Sequence, residues 1–189
     1  MAIPAIERSI LYMPGDCLAR PHANCYWVVP GQVLAGEHPG ALSAADVYAR
    51  VDALLDIGVR QFIDLTEEGE PPAPYVATLR ERAEARGISA RHRRFAIRDM
   101  SVPSPASMRA TLDAIYDAMN KHKPVYIHCW AGVGRTGTVV GCLVREQGLS
   151  AADALRVIAH KWRSMEKCQR HTVSPESPAQ FAFITRWHP

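Results

Sequence analysis

Long apolar runs are missing from this sequence of 189 residues. No stretch approaches the roughly 20 consecutive apolar residues that a membrane-spanning helix requires. The N-terminal residues include prolines and an acid, and they lack the long apolar centre of a signal peptide. These two absences predict a soluble, cytoplasmic chain that has no membrane partner.

Regularly spaced cysteine pairs are missing as well. The chain has five cysteines, and no two of them form a Cys-x-x-Cys pair. Such a set argues against a disulfide framework or a zinc module and fits a reducing compartment. Because apolar residues make up 48% of the chain, the core needs no covalent or metal support. We therefore expect a single domain over residues 1–189, with a loop-rich segment at about 1–30.

A strong charge of one sign is the third absence. The net charge of +3 is too small to predict a nucleic-acid partner, although it suits an anionic substrate. Basic residues are concentrated only in and beside one predicted strand. This cluster either attracts an anionic substrate or forms the solvated face of an edge strand, and we favour the edge strand. Its members are Arg91, Arg93, Arg94 and Arg98.

Strand-like and helix-like patterns alternate along the chain. This alternation predicts an α/β fold with a central, mostly parallel or mixed sheet flanked by helices. The predicted strands are Cys25–Val29, Gln32–Ala35, Gln61–Leu65, Ile88–Ile97 and Val125–His128. The predicted helices run from Ser43 to Gly58, over Tyr75–Arg86, through Met108–Asn120, from about Gly134 to Gln147, from Ser150 to Lys161 and from Ser177 through Ile184, with an acidic loop at Glu67–Pro74.

One segment combines an apolar strand, a glycine-punctuated loop and a helix, the order that an anion-binding site needs. Gly132 and Gly134 allow the backbone to curl with its N–H groups pointing inward. The helix that begins near Gly134 adds unpaired N–H groups and the positive end of its dipole. Arg135 supplies a planar fork that can bind two phosphate oxygens. We expect the loop of Trp130, Ala131, Gly132, Val133 and Gly134 to surround a phosphate group.

Cys129 lies where this strand ends and the loop begins. The inward N–H groups, the helix dipole and Arg135 favour its thiolate form, which is the nucleophilic one. A serine there would lack an adjacent base. We expect His128 to orient the loop through its backbone, and Thr136 to donate its hydroxyl to the sulfur. A buried structural cysteine would leave the arginine and the glycines unexplained, and the lysine of a Walker loop is absent.

The residues His128-Cys129-x-x-Gly132-x-x-Arg135-Thr136-Gly137 match the HCxxGxxR[ST]G signature of protein tyrosine phosphatases. The short chain resembles their dual-specificity branch. The resemblance implies a mixed sheet flanked by helices, a phosphocysteine intermediate, and catalysis without a metal or another cofactor. It also implies an aspartate about thirty residues before the nucleophile as general acid, and Asp99 stands at that place. Asp64, at the end of a predicted strand, is the alternative.

The C-terminal segment resembles the part of related phosphatases that packs beside the site. Gln180 is expected either to help place the hydrolytic water or to lie solvated on a capped helix. Arg170 is either a second phosphate contact or, as we favour, surface charge. Cys25, Cys142 and Cys168 are expected to be core residues, and any of them is a candidate disulfide partner that protects Cys129.

The loop also bears on the substrate. Lipid-directed members of the resembled family tend to carry lysines inside this loop, whereas Trp130, Ala131 and Val133 are uncharged. A phosphorylated protein or peptide is therefore the expected partner, with phosphotyrosine and phosphoserine or phosphothreonine both open. The alternatives are a phosphoinositide or an RNA 5′-phosphate, a non-catalytic phosphate-binding module, and sulfur transfer of the rhodanese type.

Overall fold

The central feature of the computed structural model, which describes residues 2–40, 43–70 and 74–188, is a sheet of five strands in the order β1-β2-β5-β3-β4. The first two strands are antiparallel, while β2-β5, β5-β3 and β3-β4 are parallel. The strands are β1 (Cys25–Val29), β2 (Val33–Gly36), β3 (Gln61–Asp64), β4 (Arg91–Arg94) and β5 (Val125–His128). The prediction of a mostly parallel, mixed sheet is confirmed.

Helices cover both faces of this sheet, as short apolar strands buried on both sides require. Seven α-helices and one 3₁₀ helix lie within the described residues. They are α1 (Arg8–Leu11), α2 (Ala44–Asp56), α3 (Val76–Ala85), α4 (Pro105–Asn120), α5 (Gly134–Arg145), α6 (Ala151–Trp162), α7 (Pro178–Arg186) and the 3₁₀ helix Glu166–Gln169. Side chains that alternate along each strand divide the core into two clusters. The larger cluster packs α4, α5, α6 and α7 on one face, and the smaller one packs α2 and α3 on the other.

Serine caps begin four of the helices, three of them at the predicted residues Ser43, Ser150 and Ser177. Ser43, Ser104, Ser150 and Ser177 each accept a hydrogen bond from the backbone N–H three residues later. This hydrogen bond satisfies one of the free N–H groups in the first turn, and it determines the residue at which each helix begins. Among the described residues, no helix is both long enough and apolar enough to cross a bilayer.

The prediction was wrong in two places. The fourth strand was expected over Ile88–Ile97, but the ladder covers only Arg91–Arg94. The backbone N–H groups of Phe95 and Ile97 still donate to the carbonyl oxygens of Asp64 and Leu65, but these residues do not continue the regular β ladder. The short helix Arg8–Leu11 inside the segment expected to be loop-rich was missed, because four residues are too few to show a helical period. Residues 71–73 of the predicted acidic loop lie outside the described residues.

The basic cluster lies on the strand at the end of the sheet order. Arg91 and Arg93 are exposed there, and Arg98 is exposed in the loop beyond. Arg94 instead turns toward β3, where its guanidinium lies 3.1 Å from the carboxylate of Asp64. This placement fits the solvated face of an edge strand, whose charges discourage pairing with another chain.

Candidate active site

The loop that carries the predicted nucleophile connects β5 directly to α5. Cys129 follows the last residue of β5 and is only 3% exposed, while α5 begins at Gly134. The Cys129 sulfur accepts the backbone N–H of Gly132 at 3.3 Å. The first turn of α5 thus points its free N–H groups toward the space above this sulfur, which suits an anion.

Gly132 makes the tight curl of this loop possible. Its φ of +77° lies in the left-handed region that favours glycine. A Cβ atom built there would lie 2.5 Å from the backbone carbon of Gly36 at the end of β2. No other residue type fits both the conformation and the close approach.

His128 stabilises the loop from behind. Burial lowers the pKa of His128 to about 3, so its imidazole is neutral and carries one N–H. Its Nδ1 lies 3.3 Å from the carbonyl oxygen of Cys129, which can only accept, so Nδ1 carries the proton. Its Nε2 then accepts the hydroxyl of Tyr75 at 2.7 Å. The ring therefore orients the loop backbone, as the sequence predicts for this residue.

Arg135 lies at the floor of the site and is 1% exposed. Its Nη1 and Nη2 donate to the two carboxylate oxygens of Glu70 at 2.8 and 2.9 Å, and Nη1 also donates to the carbonyl oxygen of Ile97 at 3.1 Å. Burial opposes the charge of Arg135, but the hydrogen bonds to Glu70 and the neighbouring negative charges together outweigh it and raise the pKa of Arg135. The Nε atom is buried and has no partner among the described residues.

Glu70 is one of the side chains at the candidate site that sequence reasoning missed. It lies in the acidic loop after β3, 65 residues before Arg135. Burial would raise its pKa, but the hydrogen bonds from Arg135 outweigh this and lower the pKa of Glu70 below its ordinary value. The available signal was the topology, because loops that leave the carboxyl ends of adjacent parallel strands meet at one edge of a sheet.

Asp99 lies across the cavity from the loop of Cys129. Its carboxylate is 58% exposed and stands 3.1 Å from Nη2 of Arg135. The next residue, Met100, has φ of +59°, which is unusual for a residue other than glycine. Asp99, the expected general acid, therefore faces the cavity beside Arg135.

Asp64, the alternative acid, is fully buried. Its carboxylate accepts hydrogen bonds from the hydroxyl and N–H of Thr66 and from Arg94, and it lies 3.0 Å from Nε2 of His92. Burial would raise the pKa of Asp64, but the hydrogen bonds from His92 and Thr66 outweigh it and hold the pKa well below its usual range. A carboxyl held ionised and away from the cavity anchors strand ends and cannot deliver a proton to a substrate.

Gln180 is fully buried, so the expectation of a solvated glutamine was wrong. Its side-chain oxygen accepts the N–H groups of Glu176 and Ser177, both at 3.0 Å. Its amide nitrogen donates to the carbonyl oxygen of Ser101 at 3.2 Å, two residues beyond Asp99. The side chain therefore connects the start of α7 to the loop of Asp99.

Thr136 and Arg170 complete the comparison with the sequence. The hydroxyl of Thr136 is buried and has no hydrogen-bond partner among the described residues, so the predicted bond to the sulfur of Cys129 is not formed. The sulfur is instead paired with the N–H of Gly132. Arg170 is exposed and does not line the cavity, which fits the favoured interpretation as surface charge.

A cavity of about 360 Å³ brings most of these residues together. Of the five loop positions expected to surround phosphate, Trp130, Ala131 and Gly134 line it. Gly132 contributes its N–H to the sulfur, and the side chain of Val133 is buried in the larger core cluster. The other lining residues are Asp99, Met100, Cys129, Arg135, Lys167, His171 and Glu176, of which Met100 and the last three were not predicted.

The other cysteines are reduced in this structure. Cys25 lies on β1, which is separated from β5 by β2, so two strand spacings place it about 10 Å from the end of β5. Cys142 lies more than two turns along α5, about 12 Å from its start. Both separations exceed the roughly 7 Å that a disulfide allows between Cα atoms, so neither residue can bridge Cys129 without a backbone movement. Cys168 is half-buried in the 3₁₀ helix and stays a candidate.

Comparison with known families gives the site its context. The family model described as the Swiss Army Knife protein, DSP-PTPase phosphatase domain, matches residues 22–180. The chain belongs to this family of phosphatase domains. The prediction of the cysteine-based protein tyrosine phosphatase superfamily is confirmed, and membership supports cysteine-based phosphatase chemistry on phosphorylated substrates.

Solved structures of phosphatases share the fold. A mutant form of Tk-PTP is 24% identical, with a TM-score of 0.61 over 87% of this chain and 93% of that chain. Kinase associated phosphatase with its catalytic-site cysteine changed to serine is 18% identical, with a TM-score of 0.64 over 80% and 83%. PTPMT1 in complex with PI(5)P is 22% identical, with a TM-score of 0.57 over 84% and 90%. These likenesses confirm the phosphatase-like fold.

Proposed function

We propose that this phosphatase hydrolyses phosphomonoesters on proteins or peptides through a phosphocysteine at Cys129, without a metal or another cofactor. One observation carries the proposal. A single cavity is lined by the sulfur of Cys129, the guanidinium of Arg135 and the carboxylate of Asp99. It lies at the N-terminal end of α5, where free N–H groups favour an anion.

In the first step, the Cys129 thiolate attacks phosphorus in line with the ester oxygen. The sulfur–phosphorus bond forms while the phosphorus–oxygen bond breaks, and its electron pair goes to the leaving oxygen. Asp99 donates its proton to that oxygen. Loop N–H groups and Arg135 hold the equatorial oxygens, where charge is spread in the transition state.

In the second step, water replaces the sulfur. Asp99, now a carboxylate, accepts a proton from the water as the water oxygen attacks phosphorus. The sulfur–phosphorus bond breaks, the thiolate is restored, and inorganic phosphate leaves. Glu70 takes no proton in either step. Its two hydrogen bonds keep the guanidinium of Arg135 in one plane and leave Nε for the phosphate.

Hydrolysis of 4-nitrophenyl phosphate in the presence of a chelator tests the activity itself. Cys129→Ser is expected to abolish turnover and still bind a phosphate ester, because the anion site stays intact. Cys142→Ala is the matched control, since that buried thiol lies outside the cavity. Wild-type turnover by Cys129→Ser would refute the proposal.

The rate of the first turnover separates an enzyme from a phosphate-binding module. Rapid mixing should give a burst of about one 4-nitrophenolate per protein, with one phosphate trapped on the protein at low pH. Asp99→Asn is expected to lower kcat far more than it changes substrate binding, because the lost group acts in the transition state. A protein that binds phosphate tightly and shows neither a burst nor steady turnover would be a non-catalytic module.

A substrate panel tests the protein part of the proposal. PTPMT1 was solved with PI(5)P, so phosphoinositides belong in the panel beside phosphotyrosyl and phosphothreonyl peptides and 5′-triphosphate RNA. The uncharged side chains of Trp130 and Ala131, which line the cavity, favour the peptides. Thiosulfate is included as a sulfur donor, and transfer from it would indicate rhodanese-type chemistry.

A further inference from the structure

Two exposed apolar side chains stand at the mouth of the cavity. Among the described residues, seven large apolar side chains are clearly exposed, and two of these line the cavity. Trp130 is 52% exposed and directly follows Cys129, while Met100 is 50% exposed and directly follows Asp99. Isolated exposed apolar side chains are common, but two that line the same cavity point to a ligand-binding surface.

Both side chains are carried on backbone that the fold holds in place. The carbonyl oxygen of Trp130 accepts the N–H of His38 at 2.9 Å. The carbonyl oxygen of Met100 accepts the hydroxyl of Ser177 at 3.2 Å. The backbone of Met100 is held at φ of +59°, a strained conformation that persists only where neighbouring contacts enforce it. The two side chains are therefore positioned without being covered.

The chemistry places a substrate group between them. The leaving oxygen must lie between the phosphorus above Cys129 and the carboxyl of Asp99, within hydrogen-bond reach of the acid. The group bonded to that oxygen then emerges between the residues that follow the nucleophile and the acid. An aromatic ring there can stack on the indole of Trp130 and contact the thioether of Met100, whereas the short alkyl arm of serine or threonine offers no such face.

The charges at the cavity wall argue against a second phosphate group. Lys167 lies 2.5 Å from the carboxylate of Glu37, and it also donates to a loop carbonyl. His171 faces the carboxylate of Glu176 at 4.0 Å. Every basic side chain in the described wall of the cavity thus has an acidic partner. Arg135 is paired with Glu70 and Asp99, but its Nε is unpaired among the described residues. A polyphosphorylated headgroup would have to displace one of these partners.

We propose that Trp130 and Met100 form an aromatic clamp that selects aryl phosphomonoesters, and among protein substrates phosphotyrosine, over alkyl or polyphosphorylated ones. This inference rests on the proposed function, because it assumes that Cys129 and Asp99 act on the ester. It makes the two residues determinants of specificity for the group that leaves.

Binding measured without turnover separates the clamp from the intrinsic reactivity of aryl esters. In a Cys129→Ser background, a phosphotyrosyl peptide should bind at least tenfold more tightly than a phosphothreonyl peptide of the same sequence. Adding Trp130→Ala should reduce this ratio about tenfold, Met100→Ala should reduce it less, and Trp130→Phe should restore most of it. Val173→Ala is the control, because Val173 is 53% exposed but does not line the cavity.

Turnover in the wild-type background completes the test. Trp130→Ala should lower kcat/KM about tenfold more for the phosphotyrosyl peptide than for the phosphothreonyl peptide. An unchanged ratio in Trp130→Ala, or a higher kcat/KM for phosphoinositide vesicles than for the phosphotyrosyl peptide, would overturn the clamp while aryl phosphatase activity stood. Absence of any aryl phosphate hydrolysis by the wild type would instead overturn the proposed function.

Discussion

Gln180 offers the sharpest prediction about how the proposed acid is held. Its side chain makes three hydrogen bonds, two as acceptor from the start of α7 and one as donor to Ser101 in the loop of Asp99. It also packs against the first turn of α5, since a Cβ atom at Gly134 would lie 2.8 Å from its amide. One buried side chain thus connects the loop of the acid to the loop of the nucleophile.

Gln180→Ala removes this connection. Three buried hydrogen bonds at about 1 kcal/mol each represent roughly 3 kcal/mol of contacts, two that cap the start of α7 and one that joins it to the loop of Asp99. If about half of this acts on the position of Asp99, the loss of about 1.4 kcal/mol lowers the acid-catalysed rate about tenfold. The chain should still fold, because the two large core clusters do not depend on this residue.

The assay is a series of aryl phosphates whose leaving phenols differ in acidity. Wild-type kcat/KM, which reports the step that releases the phenol, should depend weakly on the acidity of the phenol, because Asp99 protonates the leaving oxygen. In Gln180→Ala the dependence should steepen toward that of Asp99→Asn, with the largest loss for phenyl phosphate and the smallest for 4-nitrophenyl phosphate. The double variant should lose little more than Asp99→Asn alone, since both changes remove the same interaction.

Gln169→Ala is the matched control, because Gln169 is exposed in the 3₁₀ helix near the same cavity. The reasoning fails if a folded Gln180→Ala protein keeps the wild-type dependence on the leaving group. It also fails if its loss adds fully to that of Asp99→Asn, because Gln180 would then act independently of the acid.

Three further predictions concern the support of the site. Glu70→Gln should raise KM for aryl phosphates several-fold with a smaller loss in kcat, because one of two hydrogen bonds to the phosphate-binding arginine is weakened; exposed Glu68→Gln should change neither constant. Gly132→Ala should lower the free energy of unfolding much more than Gly148→Ala does. Both glycines have φ of +77°, but only Gly132 has backbone atoms within 3 Å of an added Cβ. Equal losses in urea titrations would contradict this prediction. Burial lowers the pKa of Lys161 to about 8, so the unfolded chain binds more protons than the folded chain between about pH 8 and 10.5. The free energy of unfolding should therefore rise with pH in this range, by at most about 1.4 kcal/mol per pH unit. The Lys161→Met variant should lack this part of the rise.

The strand, loop and helix around Cys129 could be predicted from the sequence because every determinant is local. An apolar strand, two glycines and a helix start follow each other within 14 residues, from Val125 to Thr138. The glycine at 132 is required by the backbone, and Arg135 is required by the anion. The predicted strand ended at His128 and the helix began at Gly134, as the structure has them.

The contacts that complete the site could not be predicted in the same way, because they join distant parts of the chain. Glu70 reaches Arg135 across 65 residues, and Gln180 reaches Ser101 across 79. Periodicity and capping signals report on a few neighbouring residues, so they located the helix of Gln180 and left open whether its side chain faces the site or the solvent. Thr136 shows that a local motif has limits too. Its position in the motif did not predict that its hydroxyl would have no hydrogen-bond partner among the described residues.

The topology explains why these distant residues meet at all. Strands β5, β3 and β4 are adjacent and parallel, and their last residues His128, Asp64 and Arg94 lie side by side. The chain that leaves each end must pass over the same edge of the sheet. The loop after β5 carries the proposed nucleophile, the loop after β3 carries the glutamate that is hydrogen-bonded to Arg135, and the loop after β4 carries the proposed acid.

Parallel strands bring these three loops together, but they do not determine how far each loop extends over the carboxyl-terminal edge of the sheet. That distance is set by contacts from outside the sheet. For the second loop it is the paired hydrogen bond between Glu70 and Arg135, and for the third it is the start of α7 through Ser177 and Gln180. The acid is thus held against a helix that follows it by almost eighty residues, and that helix in turn contacts the first turn of α5. Catalytic geometry at this edge therefore depends on α7 as much as on the sheet, although no atom of that helix needs to touch the substrate.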